Sequence, residues 1–499
     1  MAARRGGPTV VGRLARLLVI GAIALATSAH VGTSNAYFEG TAGPYGIRVI
    51  VRTPGVIPGL AQISVRVTSG TGVEQVSVRP LRADVGLQGA PPPDIAQPVV
   101  GEPNLYSAEL WLMTPGSYSV HVNVVGDGGD GTAFVPVLAI AERRLDMPLA
   151  MAVGLGLATI FLFVGAITVF GAAVGESVLE VGVVAGAKQR RLARVVMAVS
   201  ALGLAVILWG GWTWWGAVDA AYLDRLYRPY SAATAVTGSG NEAMLTLTVD
   251  DPAWRGRDWT PLLPDHGKLM HMFLVRDDDL SAFAHLHPSP VDDRSFEVPF
   301  PTLPGGDYRV YADIVFESGF AQTLTGLVRA PAATEAGAAD AGPVRDPDDS
   351  WAELAPVGAA HPDAHQLTGG RVVRWEREGT ALTDQETTLR FSVTEADGSP
   401  VTLEPYMGML SHAAITRDDG SVFVHLHPSG SINMAAQMRF EQVEGGAMTA
   451  MAEVATGDAT HRVTFPFVFP EPGDYRMFVQ VKVAGSVETA VFDVQVVDP

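Results

Sequence analysis

The chain has 499 residues, too many for one hydrophobic core, so several domains are expected. A formal charge of −19 argues against nucleic acid or anionic lipid as the main partner, since both need basic surface. With no cysteine, structural disulfides, thiolate zinc sites and thiol nucleophiles are excluded.

At the N-terminus Arg4, Arg5, Arg13 and Arg16 precede the apolar run LLVIGAIALA, and Ser34-Asn35-Ala36 follows. This is the layout of a secretory signal over residues 1–36, cleaved after Ala36, with an uncleaved anchor as the alternative. Residues 37–146 alternate apolar and polar positions, as in YGIRVIVR and AQISVRV, between Pro/Gly turns, which predicts a half-buried sheet. Residues 147–174 contain no charge and exceed the roughly 20 residues that span a bilayer. Residues 195–216 form a second such stretch, ending in Trp209, Trp212, Trp214 and Trp215, the composition of an interfacial aromatic belt. Between them, residues 175–194 carry Lys188, Arg190, Arg191 and Arg194, which places this loop in the cytoplasm although Arg143 and Arg144 flank the other side. Residues 37–146 and 217–499 are then extracytoplasmic. Neither span carries an acidic relay, so both read as anchors rather than a conduction path.

The phrase PGSYSVHVNVV, from Pro115, returns as PGGDYRVYADIV from Pro304 and as PGDYRMFVQVKV from Pro472. Each time a turn leads into Tyr-x-apolar alternation, so Tyr118, Tyr308 and Tyr475 are expected to form tyrosine corners. Residues 231–330 and 366–499 read as two further β-modules, joined by an Ala/Pro/acid-rich linker over 331–365. His361 and His365, in HPDAH, receive no role.

The stretches IRVIVRTPGVIPGLAQISVRV and LYSAELWLMTPGSYSVHV make residues 37–146 resemble the YtkA/FixH-like family of extracytoplasmic β-sandwich modules. The modules with AFAHLHP and VFVHLHP resemble cupredoxin-like or immunoglobulin-like domains of bacterial exported proteins. These likenesses imply a role in metal homeostasis or oxidase assembly. They also imply a multi-domain fold: three immunoglobulin-like or cupredoxin-like antiparallel β-sandwiches plus transmembrane α-helices. A blue-copper site needs a thiolate, which this chain lacks.

The most informative pattern is HMFLVRDDDLSAFAHLHP, from His271, repeated as HAAITRDDGSVFVHLHP, from His412. Each copy reads as a hairpin in which the histidines of His-x-His leave one face of a strand. Folding the first about Asp278-Asp279 sets His271 opposite residue 286, between His285 and His287. In the second, one residue shorter, His412 falls opposite His425, with His427 beyond. Facing Cβ atoms lie roughly 4.5–5.5 Å apart, close enough for His271, His285 and His287 to form one metal site and His412, His425 and His427 a second. Alternatively the rings pack against Phe283 and Phe423 as structural residues.

Three neutral nitrogens without thiolate suit zinc, copper(II) or iron. Met270, Met272, Met407, Met409, Met434, Met438, Met448 and Met451 tilt the choice to copper, with zinc as the alternative, although Met270 and Met272 face away from His271 in a regular strand. His266 is a further candidate ligand, but Met407 stands at its place in the other copy. In the first module Met113 and His121 are the only comparable donors. A cupin-type metalloenzyme is disfavoured, because no glutamate follows His287 or His427 at the required spacing and no later strand adds a histidine. The expectation is a non-enzymatic metal-binding protein, with copper storage, sensing or delivery as its task. Its partners are the bilayer, through two or three helices, and another envelope protein or an oxidase. A metal-free scaffold of the cell envelope is the alternative.

Overall fold

The computed structural model describes residues 30–31, 35–176, 179–180, 182–257, 260–331, 345–359, 363–443 and 461–499. Most of the leader over 1–36, the middle of the linker, His361, Met448 and Met451 lie outside them. Six mostly antiparallel sheets and three helices make up the described residues. The chain divides into two compact units, one of residues 1–139 and 229–499 and one of residues 140–228.

In the first unit the N-terminal module stacks its strands into a five-stranded and a four-stranded sheet. The period of two is plain in Gly59–Ser69, where Ala61, Ile63, Val65 and Val67 are buried and the residues between them are not. Residues 231–330 also form two sheets, and a core containing Leu245, Leu247, Phe296, Met272, Leu274 and Leu286 lies between them. Residues 364–499 repeat this plan around Val373, Phe391, Phe465, Ile415 and Phe492.

Three strands share one design. Gly116–Gly126, Gly306–Phe316 and Gly473–Val483 each have 11 residues. Each opens on a glycine whose φ of 144°, 151° or 144° suits a residue without Cβ. Two positions on, the buried tyrosine reaches back four residues. Tyr308 donates to the Pro304 carbonyl and Tyr475 to that of Glu471, both at 2.8 Å. The Tyr118 hydroxyl meets the Thr114 hydroxyl at 3.1 Å. All three expected tyrosine corners are therefore present.

The linker departs from expectation. Ser350–Glu353 pairs with Ala282–Leu286 as the edge strand of its sheet. Composition alone hid it, because a four-residue strand recruited by an open sheet edge needs little periodicity of its own.

The second unit holds the helices Leu149–Glu176 and Ala187–Leu223, both long and apolar enough to cross a membrane. At about 1.5 Å per residue they run about 42 and 55 Å, beyond the roughly 30 Å of a hydrocarbon core. The second extends past the expected 195–216 at both ends, so Lys188, Arg190, Arg191 and Arg194 lie on its first turns. Gly171 and Gly175, one turn apart, are the buried residues of the first helix. A Cβ on Gly171 would meet the Met197 side chain at 2.6 Å. Small residues at this spacing let two helices approach closely.

Candidate metal centre

Both hairpins form, in a register that differs from the expected one. Met272 pairs with Leu286 and Phe273 with His285, which sets His271 level with His287 rather than with residue 286. Ala413 pairs with Leu426, which sets His412 level with His427 rather than His425. Each turn is asymmetric. Leu280, at φ 51°, bonds back to the Arg276 carbonyl, and Gly420, at φ 73°, to that of Arg417. The extra residue of the first copy is absorbed in the turn instead of a strand bulge, so the two hairpins present equivalent faces.

Those faces meet. Met272, Leu274, Ala284 and Leu286 point into the core of their own repeat, while Phe273, Val275 and Phe283 join Tyr311, Ala414, Phe423, Phe478 and Val491 in a separate cluster between the repeats. The contacts are reciprocal. Phe283 stacks on Phe478 at 4.3 Å and Phe423 on Tyr311 at 4.0 Å. Arg476 donates to the Leu280 carbonyl and Arg309 to that of Asp418. His285 meets Gln480 and His425 meets Asp313, the residues level with His412 and His271 on the neighbouring strands.

All six expected histidines line this seam, and a seventh, His266, joins them. His271, His285 and His287 bring one nitrogen each within 4.8 Å of one another. The second such group is His266, His412 and His427, so His266 stands where His425 was expected. The ring of His425 lies between the groups, 5.3 Å from His271, 5.6 Å from His285, 5.6 Å from His412 and 4.5 Å from His427. His266 sits at φ 50° in a two-residue turn with Gly267, matched by Met407-Gly408 in the other copy. The sequence offers His266 as a further ligand beside His271, but not as a partner of His412 and His427.

The hydrogen bonds give most rings an outward and an inward nitrogen. His271 Nε2 donates to the Asp265 carbonyl at 3.2 Å, and His285 Nδ1 to Gln480 Oε1 at 2.8 Å. His287 Nδ1 donates to Asp349 Oδ1 at 3.0 Å, and His427 Nδ1 to the Ile432 carbonyl at 3.3 Å. His425 Nδ1 is 3.5 Å from the Asp313 carboxylate. The inward nitrogens are bare. His271 Nδ1 and His285 Nε2 face each other at 3.1 Å with their protons engaged elsewhere. His266 Nε2, His287 Nε2, His425 Nε2, His427 Nε2 and both nitrogens of His412 are buried without a protein partner. An unsatisfied buried polar atom costs about 1–3 kcal/mol, so this cluster is expensive as a mere core.

Burial, reinforced by neighbouring imidazoles, holds His271, His285, His412 and His427 well below the usual imidazole range. It takes His425 down to about 3. These rings are neutral at pH 7, each with a lone pair to give. Burial raises Asp313 to about 6 and also raises Asp265. The donor set fits a borderline cation, since neutral imidazoles anchored on outer oxygens are the usual support of a metal ligand. A tetrahedral ion with nitrogens at about 2.0–2.1 Å sets them about 3.3 Å apart, close to the His271–His285 spacing.

Met270 and Met272 are core residues of their repeat and offer no thioether here. In the N-terminal module Met113 is exposed and His121 packs on Phe134 at 4.9 Å. That module contributes otherwise: Tyr37 and Glu39 bond to Ser431 and Ser429, bracing the loop after His427. His365 lies on the short strand Ala364–Gln366.

Residues 231–330 and 366–498 match the family model described as a domain of unknown function, DUF8832. No curated protein matches the chain. Among solved structures, Salmonella alpha-2-macroglobulin reacted with methylamine is 11% identical, with 94% of this chain and 24% of that one covered and a TM-score of 0.19. The present chain thus spans about a quarter of that protein. The FN1-FN3 domains of chicken CNTN1 are 9% identical, with 92% and 99% covered and a TM-score of 0.14. A putative membrane anchored protein from Corynebacterium diphtheriae is 9% identical, with 93% and 96% covered and a TM-score of 0.15. At such scores these likenesses carry no argument.

Proposed function

We propose that this is a membrane-anchored extracytoplasmic metal-binding protein, non-enzymatic, with copper or zinc as its ion and copper handling as its task. One observation carries the reading: buried neutral imidazoles from both repeats turn bare nitrogens toward one another while outer oxygens hold their protons. A cation is the simplest partner for lone pairs so arranged. Nitrogen donors with carboxylate support suit copper(II) and zinc alike, and the core position of Met270 and Met272 weakens the case for copper(I). Deep burial favours storage or sensing over rapid delivery to an oxidase.

The paired sheets and the tyrosine corners support three immunoglobulin-like or cupredoxin-like sandwiches, the first of them YtkA/FixH-like. The basic residues between the two long helices support a cytoplasmic turn, with residues 37–146 and 217–499 outside. The Phe283–Phe478 and Phe423–Tyr311 stacks favour a second reading, in which the seam is structural and the exposed loops engage an envelope partner.

Metal content of the full chain, purified in detergent and exposed to copper(II) or zinc, separates the two. Tight uptake, abolished by His285→Ala with His287→Ala in a protein that stays folded, supports the metal reading. A folded chain that takes up neither ion leaves the scaffold.

A further inference from the structure

Seven imidazoles are more than one small cation can use. The first triad offers His271 Nδ1, His285 Nε2 and His287 Nε2, and the second offers His266 Nε2, His427 Nε2 and a nitrogen of His412. His425 belongs to neither triad, yet its bare Nε2 is buried and its ring borders two members of each. The triads also touch directly, with His266 6.2 Å from His271 and His285 6.3 Å from His412 between ring centres. They are two halves of one histidine cluster, built jointly by the repeats.

The surrounding charge points the same way. Two divalent cations would bring four positive charges into a buried space, a prohibitive load without counter-charge. Three largely buried carboxylates border the rings. Asp265 lies 3.9 Å from His266 Nε2, Asp313 3.5 Å from His425 Nδ1 and Asp349 3.0 Å from His287 Nδ1. Asp265 and Asp313 have no bond to lysine or arginine among the described residues. Asp265 accepts from Asn433 and Ala435, and Asp313 from Thr323. A divalent cation nearby would favour the ionised form of both carboxyls and so be countered by them.

We propose that the seam holds two divalent cations as a single dinuclear centre, one per triad, with the bare Nε2 of His425 as a further donor to one of them and His266 as a ligand of the second. This rests on the metal reading above and goes beyond it: the repeats do not carry a site each but complete each other's.

The test loads the full chain in detergent with copper(II) alone, counts ions by elemental analysis and records the EPR spectrum. Two ions per chain are expected, with spectra showing magnetic interaction as a half-field transition or a loss of integrated intensity. His266→Asn, which keeps the left-handed turn, should lower the count from two to one and restore an isolated copper(II) signal. The ion retained by the first triad reports that this variant is folded. One ion per wild-type chain, two ions with independent signals, or two ions retained by His266→Asn each overturn the inference while leaving metal binding in place. No uptake at all removes both.

Discussion

Asp349 offers the sharpest probe of the centre, because a single oxygen does two jobs. Its Oδ1 accepts from the backbone N–H of His287 at 2.8 Å and from Nδ1 of the same residue at 3.0 Å. Asp349→Ala strands both donors in a buried place, and at about 1–3 kcal/mol each the fold loses about 2–6 kcal/mol. It also frees the His287 ring to rotate and removes the acceptor that fixes which of its nitrogens carries the proton. Loss of such an outer partner lowers metal affinity about 10–100-fold, or about 1.4–2.8 kcal/mol. Asp349→Asn separates the two effects: its amide oxygen still serves both donors, so stability stays within about 1 kcal/mol while affinity falls toward the lower limit. Chelator competition gives the affinities and denaturant titration the stabilities. If Asp349→Ala folds and holds copper(II) or zinc as tightly as wild type, His287 is not a ligand and the reasoning fails.

Acid should weaken the metal-free protein. Between about pH 6.5 and 3 the unfolded chain protonates His425 and the folded chain does not, so stability falls with pH at about 1.4 kcal/mol per unit for that residue, with its neighbours adding in the same sense. Asp313, raised to about 6, opposes this between about pH 4 and 6, as does Asp265, also raised by burial, but the two are outnumbered by the buried histidines. Denaturation midpoints at pH 7.5 and 5.5 check the sign, and equal values would refute it. Phe283→Ala removes a fully buried ring stacked on Phe478 and should cost about 3–5 kcal/mol, loosening the seam and weakening metal uptake together. Tyr308→Phe should cost about 1 kcal/mol through the lost bond to Pro304 and leave metal affinity unchanged, the contrast expected of a purely structural tyrosine.

Much of this architecture was legible in the residues. Alternation predicts the N-terminal sheets, His-x-His puts two rings on one face, and the recurring Pro/Gly turn ahead of a Gly-x-Tyr marks the corners. The same alternation correctly turned Met270 and Met272 away from His271. The register differs from one folded about the middle of each acidic turn because Leu280 and Gly420, in left-handed conformations, shift the axis. The second group of nitrogens differs from the expected trio for another reason. His266 reaches it across the seam from the other repeat, and no local pattern encodes which faces of distant segments will meet. Asp349 is hidden in the same way, in acid-rich sequence that reads as spacer until a sheet edge captures it.

Reciprocity across the seam bears on how such a chain arose. A surface in which residue i meets j and j meets i is self-complementary, the mark of an interface between twins. A lone module of this kind would leave its aromatic and imidazole face bare and would pair with another copy of itself. Fusing the two into one chain removes the obligation to be identical. The differences at Asp265 and Tyr406, His266 and Met407, and Asp313 and Gln480 are the freedom that gene duplication grants, concentrated at the ring of histidines.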